Sequence, residues 1–259
     1  MIQIIQKQFM VIFLLSAAVI DAQFALPSFQ GAAHYSNYVL NLNGSNEYAY
    51  YADNSNFEPA NWSMQAWIDP SAVPTSSDND WFIHKNKTYR LGLQYTASGV
   101  EVVGALRYSG NYYSAESGDQ SFYVTTGGGW YHVVLTFDGT NLVLYVNGDE
   151  KDTNSNSNYS TNNHDSVFSI GRRDDTGSLY FNGKIDDVSF WNTSLSANAV
   201  VALYSGGSGI IASSNSGNYT SSGNLVFNLL MQQNLNDSKS YNFTGGNISS
   251  ADYEVTRFE

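Results

Sequence analysis

The chain has no cysteine, only 4 prolines, and 11 lysines and arginines against 23 aspartates and glutamates. Without cysteine there are no disulfides, zinc–thiolate sites, iron–sulfur clusters or thiol nucleophiles. A formal net charge of −12 repels a phosphate backbone, so nucleic acid is not an expected partner. Charged residues make up 13% of the chain, which excludes a long coiled coil. Long apolar runs are absent except for Phe9–Ile20. That run is shorter than the roughly 20 residues a spanning helix needs. Lys7 precedes it, and Ile20-Asp21-Ala22 supplies a small residue for cleavage, so residues 1–22 read as a secretory signal peptide. Losing Lys7 and Asp21 together leaves the net charge at −12. No membrane span is expected after cleavage, and the protein is placed outside the cell or on a cell or virion surface.

What is abundant is aromatic and small. The 259 residues include 19 Tyr, 14 Phe and 22 Gly, a composition that favours pleated sheet over helix. After a lead-in over residues 23–37, short period-2 segments alternate with Gly, Asn, Ser and Asp clusters. Strands are predicted at 38–42, 47–52, 62–68, 81–84, 89–95, 100–107, 121–124, 130–137, 142–146, 167–170, 185–191 and 225–230. Loops are expected over 71–80, 108–120 and 149–165. Such spacing predicts an all-β antiparallel sandwich or jelly roll. The clearest part is 130–153. Tyr131, Val133, Leu135 and Phe137 share one strand face, and Leu142, Leu144 and Val146 share the next. Asp138-Gly139 and Asn147-Gly148 are strong hairpin dipeptides, so this stretch is a three-stranded meander. One helix is expected over 194–204, with a serine cap, apolar spacing and a Gly206-Gly207 stop, packed over a sandwich edge.

The order of these pieces carries a resemblance. Leu40-Asn41-Leu42-Asn43-Gly44-Ser45-Asn46-Glu47-Tyr48 is followed by Asn61-Trp62-Ser63-Met64-Gln65-Ala66-Trp67-Ile68 and then the meander. Ile170-Gly171-Arg172, Phe181-Asn182-Gly183-Lys184-Ile185-Asp186-Asp187-Val188-Ser189-Phe190-Trp191-Asn192 and Leu195-Ser196 complete it. Over residues 38–207 the chain resembles the laminin G-like, concanavalin A-like jelly-roll family. The resemblance implies two antiparallel sheets and one short helix. It also implies a structural Ca2+ ion at the sandwich rim, for which Asp186, Asp187 and Asn43 are the candidate ligands; the amide of Asn43 is the weakest of them. Ca2+ takes six to eight oxygen ligands. Asp186 and Asp187, as neighbours on a strand, are expected to point to opposite sheet faces, so that only one of them can serve a given site. The competing reading is that Asp186 satisfies backbone amides in a turn. Residues 208–223 form a Gly/Ser/Asn-rich connector, and 224–259 look like a strand and turn that commonly precede such a domain but here follow it. That segment is expected to add a strand to the same sandwich.

Glycosidases share this jelly roll and need two carboxyls flanking the bond. The glucanase Glu-x-Asp-x-x-Glu or Glu-x-Asp-x-Glu pattern is absent, and Asp149-Glu150-Lys151-Asp152 reads as a solvated edge. Tyr131, His132, Arg90 and Gln94 would suit a polysaccharide lyase only if one sheet gathered them. The expectation is therefore a non-catalytic module that recognises a glycan or glycosylated surface. The alternatives are a self-associating structural subunit of a virion, filament or surface layer, and a jelly-roll hydrolase or lyase. Sugars stack on aromatic rings with amides and carboxylates around them. The loop aromatics Tyr108, Tyr112 and Tyr113 are the first candidates and Trp81 the next, whereas Trp62, Trp67, Trp130 and Trp191 read as core. Glycosylation sequons stand at Asn43, Asn61, Asn86, Asn158, Asn192, Asn218, Asn236, Asn242 and Asn247, usable in a eukaryotic or viral host.

Overall fold

The computed structural model describes residues 38–76, 79–175, 179–231, 245–249 and 252–255. The expected signal peptide, the lead-in, and the sequons at Asn236 and Asn242 lie outside the described residues. In chain order the elements are β1 (Tyr38–Asn43), β2 (Ala49–Tyr51), β3 (Trp62–Pro70), β4 (Asn79–Lys85), β5 (Tyr89–Thr96), β6 (Gly99–Tyr108), β7 (Asn111–Glu116) and β8 (Tyr131–Phe137). They continue with β9 (Asn141–Val146), β10 (Asp149–Ser155), β11 (Phe168–Ile170), β12 (Asn182–Trp191), helix α1 (Ala197–Tyr204), β13 (Leu225–Leu229), β14 (Gly245–Gly246) and β15 (Tyr253–Val255).

Alternation of apolar side chains leaves each strand one face to bury, and two sheets bury those faces against each other. One sheet runs β10-β9-β8-β3-β12-β1-β15, with β13 also paired to β12. The other runs β14-β2-β11-β4-β5-β6-β7. Every ladder is antiparallel, including the meander β8-β9-β10. Its turns follow from local chemistry. Asp138 Oδ1 accepts from the backbone N–H groups of Thr140 (2.8 Å) and Asn141 (2.7 Å), and Asn147 and Gly148 take φ of 54° and 82°.

Between the sheets lies an aromatic core. Tyr51, Phe57, Trp62, Tyr89, Phe168, Phe190 and Phe227 are all at most 2% exposed, and Tyr51–Phe227 and Trp62–Tyr89 centroids are each 4.9 Å apart. Each such ring stabilises the fold by about 1.5–3 kcal/mol through burial. One charge enters this layer. Lys85 is fully buried, and its Nζ donates to Asp53 (2.6 Å), to the carbonyls of His164 (2.8 Å) and Ser166 (2.6 Å), and pairs with Glu58 at 3.0 Å.

The central strand β12 has β3 on one side throughout; on the other it pairs with β1 over its first half and with β13 over Val188–Trp191. α1 starts at Ser196, whose Oγ accepts from the Ala199 N–H (3.3 Å), and ends on Ser205 in the left-handed region. It packs over a sheet face, not an edge: Val200 and Leu203 join Val134, Tyr145 and Trp191 on the outer side of the meander sheet. The 208–223 stretch contributes Ile210, Ala212 and Tyr219 to the same cluster, so it is a packed cover and no open connector. Two other expectations fail locally. Residues 121–124 are not a strand but follow a 3-10 turn, with one ladder-like bond from the Val124 N–H to the Val100 carbonyl. The polar stretch 108–120 contains β7, and 149–165 opens with β10, because an edge strand needs only one ladder partner and tolerates polar residues.

Candidate functional site

The outer faces of the two sheets differ. α1 and residues 210–219 cover that of the meander sheet, whereas among the described residues no helix lies over the outer face of the second sheet. On that face the strand register sets His84 beside Arg90, Arg90 beside Ala105, and Ala105 beside Ser114. One row along, Trp81 lies beside Gly92. One row the other way, Arg107 lies beside Tyr112. Gly92 is required there. A Cβ at that position would meet the Asp80 carbonyl oxygen at 2.5 Å and Trp81 Cε3 at 2.6 Å, so its absence lets the indole lie down on the sheet.

Arg90 fills the space between two rings. Its Cζ is 4.3 Å from the Trp81 ring centroid and 3.8 Å from that of Tyr112. Arg107 reaches the same Tyr112 ring at 5.5 Å. The Tyr112 hydroxyl accepts from the Lys87 N–H at 2.9 Å, which fixes the ring. The segment after β11 adds to the surface. Arg172 stands 3.4 Å over Tyr48, and Arg173 forks onto Asp175. A bridge from Trp81 to Tyr180, and another from Tyr180 to Arg172, tie this segment to the arginine–aromatic cluster. Beside Tyr180 and Asp80 a groove of about 540 Å³ opens between the Gly44–Ser45 turn and residues 72–76.

The electrostatics follow from burial. His84 is 1% exposed and its Nδ1 accepts from the Asp174 N–H at 3.1 Å. Burial, with Arg90 and Arg173 nearby, outweighs the attraction of Asp175 and holds the imidazole at about 3, so it is neutral. Burial raises the Asp174 carboxyl above the usual range. Burial pushes Asp175 the same way, but the Arg173 hydrogen bond and charge win and hold it below. Burial, and then the like charges of Arg173 and Arg107, lower the Arg90 guanidinium against the favourable pull of Tyr112 and Asp175.

The expected stacking residues do not form one loop cluster. Tyr108 ends β6, and Tyr112 and Tyr113 lie on β7. Strand alternation splits them: Tyr108 and Tyr113 face inward onto Tyr159, at 5.7 and 5.1 Å, and pack against the core. Trp81 is 1% exposed and Arg90 covers its ring, so Trp81 and Tyr112 are the walls of an arginine slot and not open stacking platforms. Trp67 is buried on the outer face against His132 (4.8 Å) and Tyr204 (5.8 Å), and Trp130 is only half-buried. His132 and Tyr131 belong to the meander sheet and Arg90 and Gln94 to the other, so the lyase grouping is not assembled.

The residues proposed for calcium do not fit one site either. A bulge between Asp186 and Ser189 places both aspartates between the core residues Ile185 and Val188, so they lie together off the core instead of on opposite faces. Both are at most 2% exposed, and Asp186 Oδ1 accepts from the Asp187 N–H at 2.9 Å. Asn43 pairs with Asn182, about 13 Å along the strand from Asp186. Its amide is spent on its own turn, accepting from the N–H groups of Ser45 and Asn46. Among the described residues no group of three or more potential ligands converges. Of the sequons, Asn43, Asn61, Asn158, Asn192, Asn218 and Asn247 are exposed and Asn86 is half-buried.

The profile of the concanavalin A-like lectin/glucanases superfamily, of laminin G type, matches residues 43–201. The chain belongs to this superfamily. No curated protein sequence matches it. Solved superfamily-like folds include a candidate carbohydrate binding protein from Bacteroides ovatus, with a TM-score of 0.60 at 17% identity over 85% of this chain and 60% of that one. The receptor binding domain of botulinum neurotoxin mosaic serotype C/D gives 0.51 at 18% identity, over 67% of this chain and 43% of that one. The native heptameric SAP-like pentraxin of Limulus polyphemus gives 0.50 at 14% identity, over 65% and 82%. At these identities the likeness is one of fold. The superfamily holds both lectins and glucanases, so the site, not the fold, must speak for activity.

Proposed function

We propose that this chain is a non-catalytic extracellular recognition module that binds a glycan on the outer face of the second sheet. The observation that carries the reading is the Arg90 slot between Trp81 and Tyr112. It is a part-exposed group of donors held on strands, on a face over which no helix lies among the described residues. Rigid elements position polar contacts better than loops do. The amide row on the same face extends the hydrogen-bonding surface: Asn79 Nδ2 donates to Gln94 Oε1 and Gln94 Nε2 to Glu101 Oε1, each at 3.3 Å. The Bacteroides protein of the same fold, itself a candidate carbohydrate binding protein, agrees with this reading. Separation of Tyr131 and His132 from Arg90 and Gln94 onto different sheets speaks against the lyase alternative. Calcium has no role in this reading.

A broad glycan array tests it. The protein should bind a defined subset of glycans. Tyr112→Ala, which takes away one wall of the slot, should weaken that binding about tenfold, or about 1.4 kcal/mol. Absence of binding to any glycan on the array overturns the reading.

A further inference from the structure

Four of the five arginines of the chain, Arg90, Arg107, Arg172 and Arg173, gather on this one surface, although they come from three separate parts of the sequence. Among the described residues only Arg173 forms an ion pair there, with Asp175. The others rest on rings: Arg90 on Trp81 and Tyr112, Arg107 on Tyr112 and Arg172 on Tyr48. The Nε atoms of Arg90 and Arg172 are buried with no hydrogen-bond acceptor. A buried donor left without a partner costs about 1–3 kcal/mol. The chain has 23 aspartates and glutamates, more than twice its cations, yet among the described residues none forms an ion pair with these three guanidiniums; Asp175 attracts Arg90, and Asp174 attracts Arg172, through charge alone.

Four like charges with only Asp174 and Asp175 beside them are incompletely balanced, and an incoming anion that bonds the part-exposed guanidinium ends relieves the repulsion. The guanidinium fork matches a planar carboxylate or a sulfate through paired N–H···O bonds. The surrounding field of a −12 protein repels acidic polymers, so an acidic ligand would be held only where cations are concentrated. Resting on the glycan-binding reading above, we infer that the ligand is an anionic glycan whose carboxylate or sulfate lies against Arg90 and Arg107, with Arg172 beside it.

Calorimetry with paired probes tests this. One pair is a sulfated hexasaccharide and its desulfated form; the other is a uronic acid hexasaccharide and its carboxyl-reduced form. At least one acidic probe should bind about tenfold or more tightly than its neutralised twin, and the pair that responds identifies sulfate or carboxylate. That preference should shrink as salt rises to about 0.3 M. Arg107→Ala, at a half-exposed position that leaves the core intact, should remove most of the preference, and Arg90→Lys should reduce it while keeping the charge. Equal binding of acidic and neutral members overturns the inference and leaves the glycan reading standing. An acid preference unchanged in Arg107→Ala and Arg90→Lys overturns the assignment to this slot. No binding of any hexasaccharide, together with a blank array, overturns the glycan reading itself.

Discussion

Gly92 shows how one missing carbon shapes the site. It sits in the middle of β5, where glycine is otherwise unfavourable, and its bare Cα is what the Trp81 indole lies on. Gly92→Ala should lift the indole, unseat Arg90, cost about 1–3 kcal/mol in urea unfolding, and weaken ligand binding. His84 gives a second residue-scale prediction. Its folded value of about 3 lies below the 6.5 of the unfolded chain. Below pH 6.5 the unfolded state therefore holds a proton that the folded state does not. Stability should fall by up to about 1.4 kcal/mol per pH unit as pH drops from 6.5 toward 3. His84→Gln should flatten that part of the urea-midpoint profile against pH. At this scale little of the site was legible beforehand. Tyr112 and Trp81 stood out as aromatics outside the core pattern, and a glycine within a strand signals close approach. Arg90, Arg107 and the Arg172-Arg173 pair are far apart in sequence and meet only through the register of β4 to β7 and the bridge at Tyr180.

Among the elements, alternation was the dependable signal where one face of a strand is apolar. The meander, β3, β5, β6 and β12 follow from it directly. It failed at β7, whose Asn-Tyr-Tyr-Ser-Ala-Glu run is an edge strand with polar residues toward solvent, and at the Asp186–Ser189 bulge, where one extra residue shifts the faces. Periodicity cannot see an inserted residue, and so it misplaced both aspartates. The helix was visible from its serine cap and apolar spacing, but which surface it covers was not. That surface matters, because α1 covers one outer face, and among the described residues no helix covers the other. Leu203→Ala should lower stability by about 2–5 kcal/mol in thermal or urea unfolding, since Leu203 is 1% exposed in the helix–sheet cluster. Glycan affinity should remain unchanged, because the two outer faces share no side chains.

Across the whole molecule, the order of motifs gave the superfamily, because a sandwich of this kind is specified by many weak pieces in sequence. The profile match stops at residue 201, yet the folded sheet does not. Val188–Trp191 of β12 take their second partner from β13, and Phe227 stands within the aromatic core, 4.9 Å from Tyr51 and 5.1 Å from Phe168. The consequence concerns biosynthesis. Ribosomes deliver the chain from its N-terminal end, so the central strand emerges with half of one edge bare and an aromatic gap beneath it. The sandwich can close only once translation has passed Leu229. Until then that edge stays unpaired, and a release from the ribosome that came too early would set free an aggregation-prone strand.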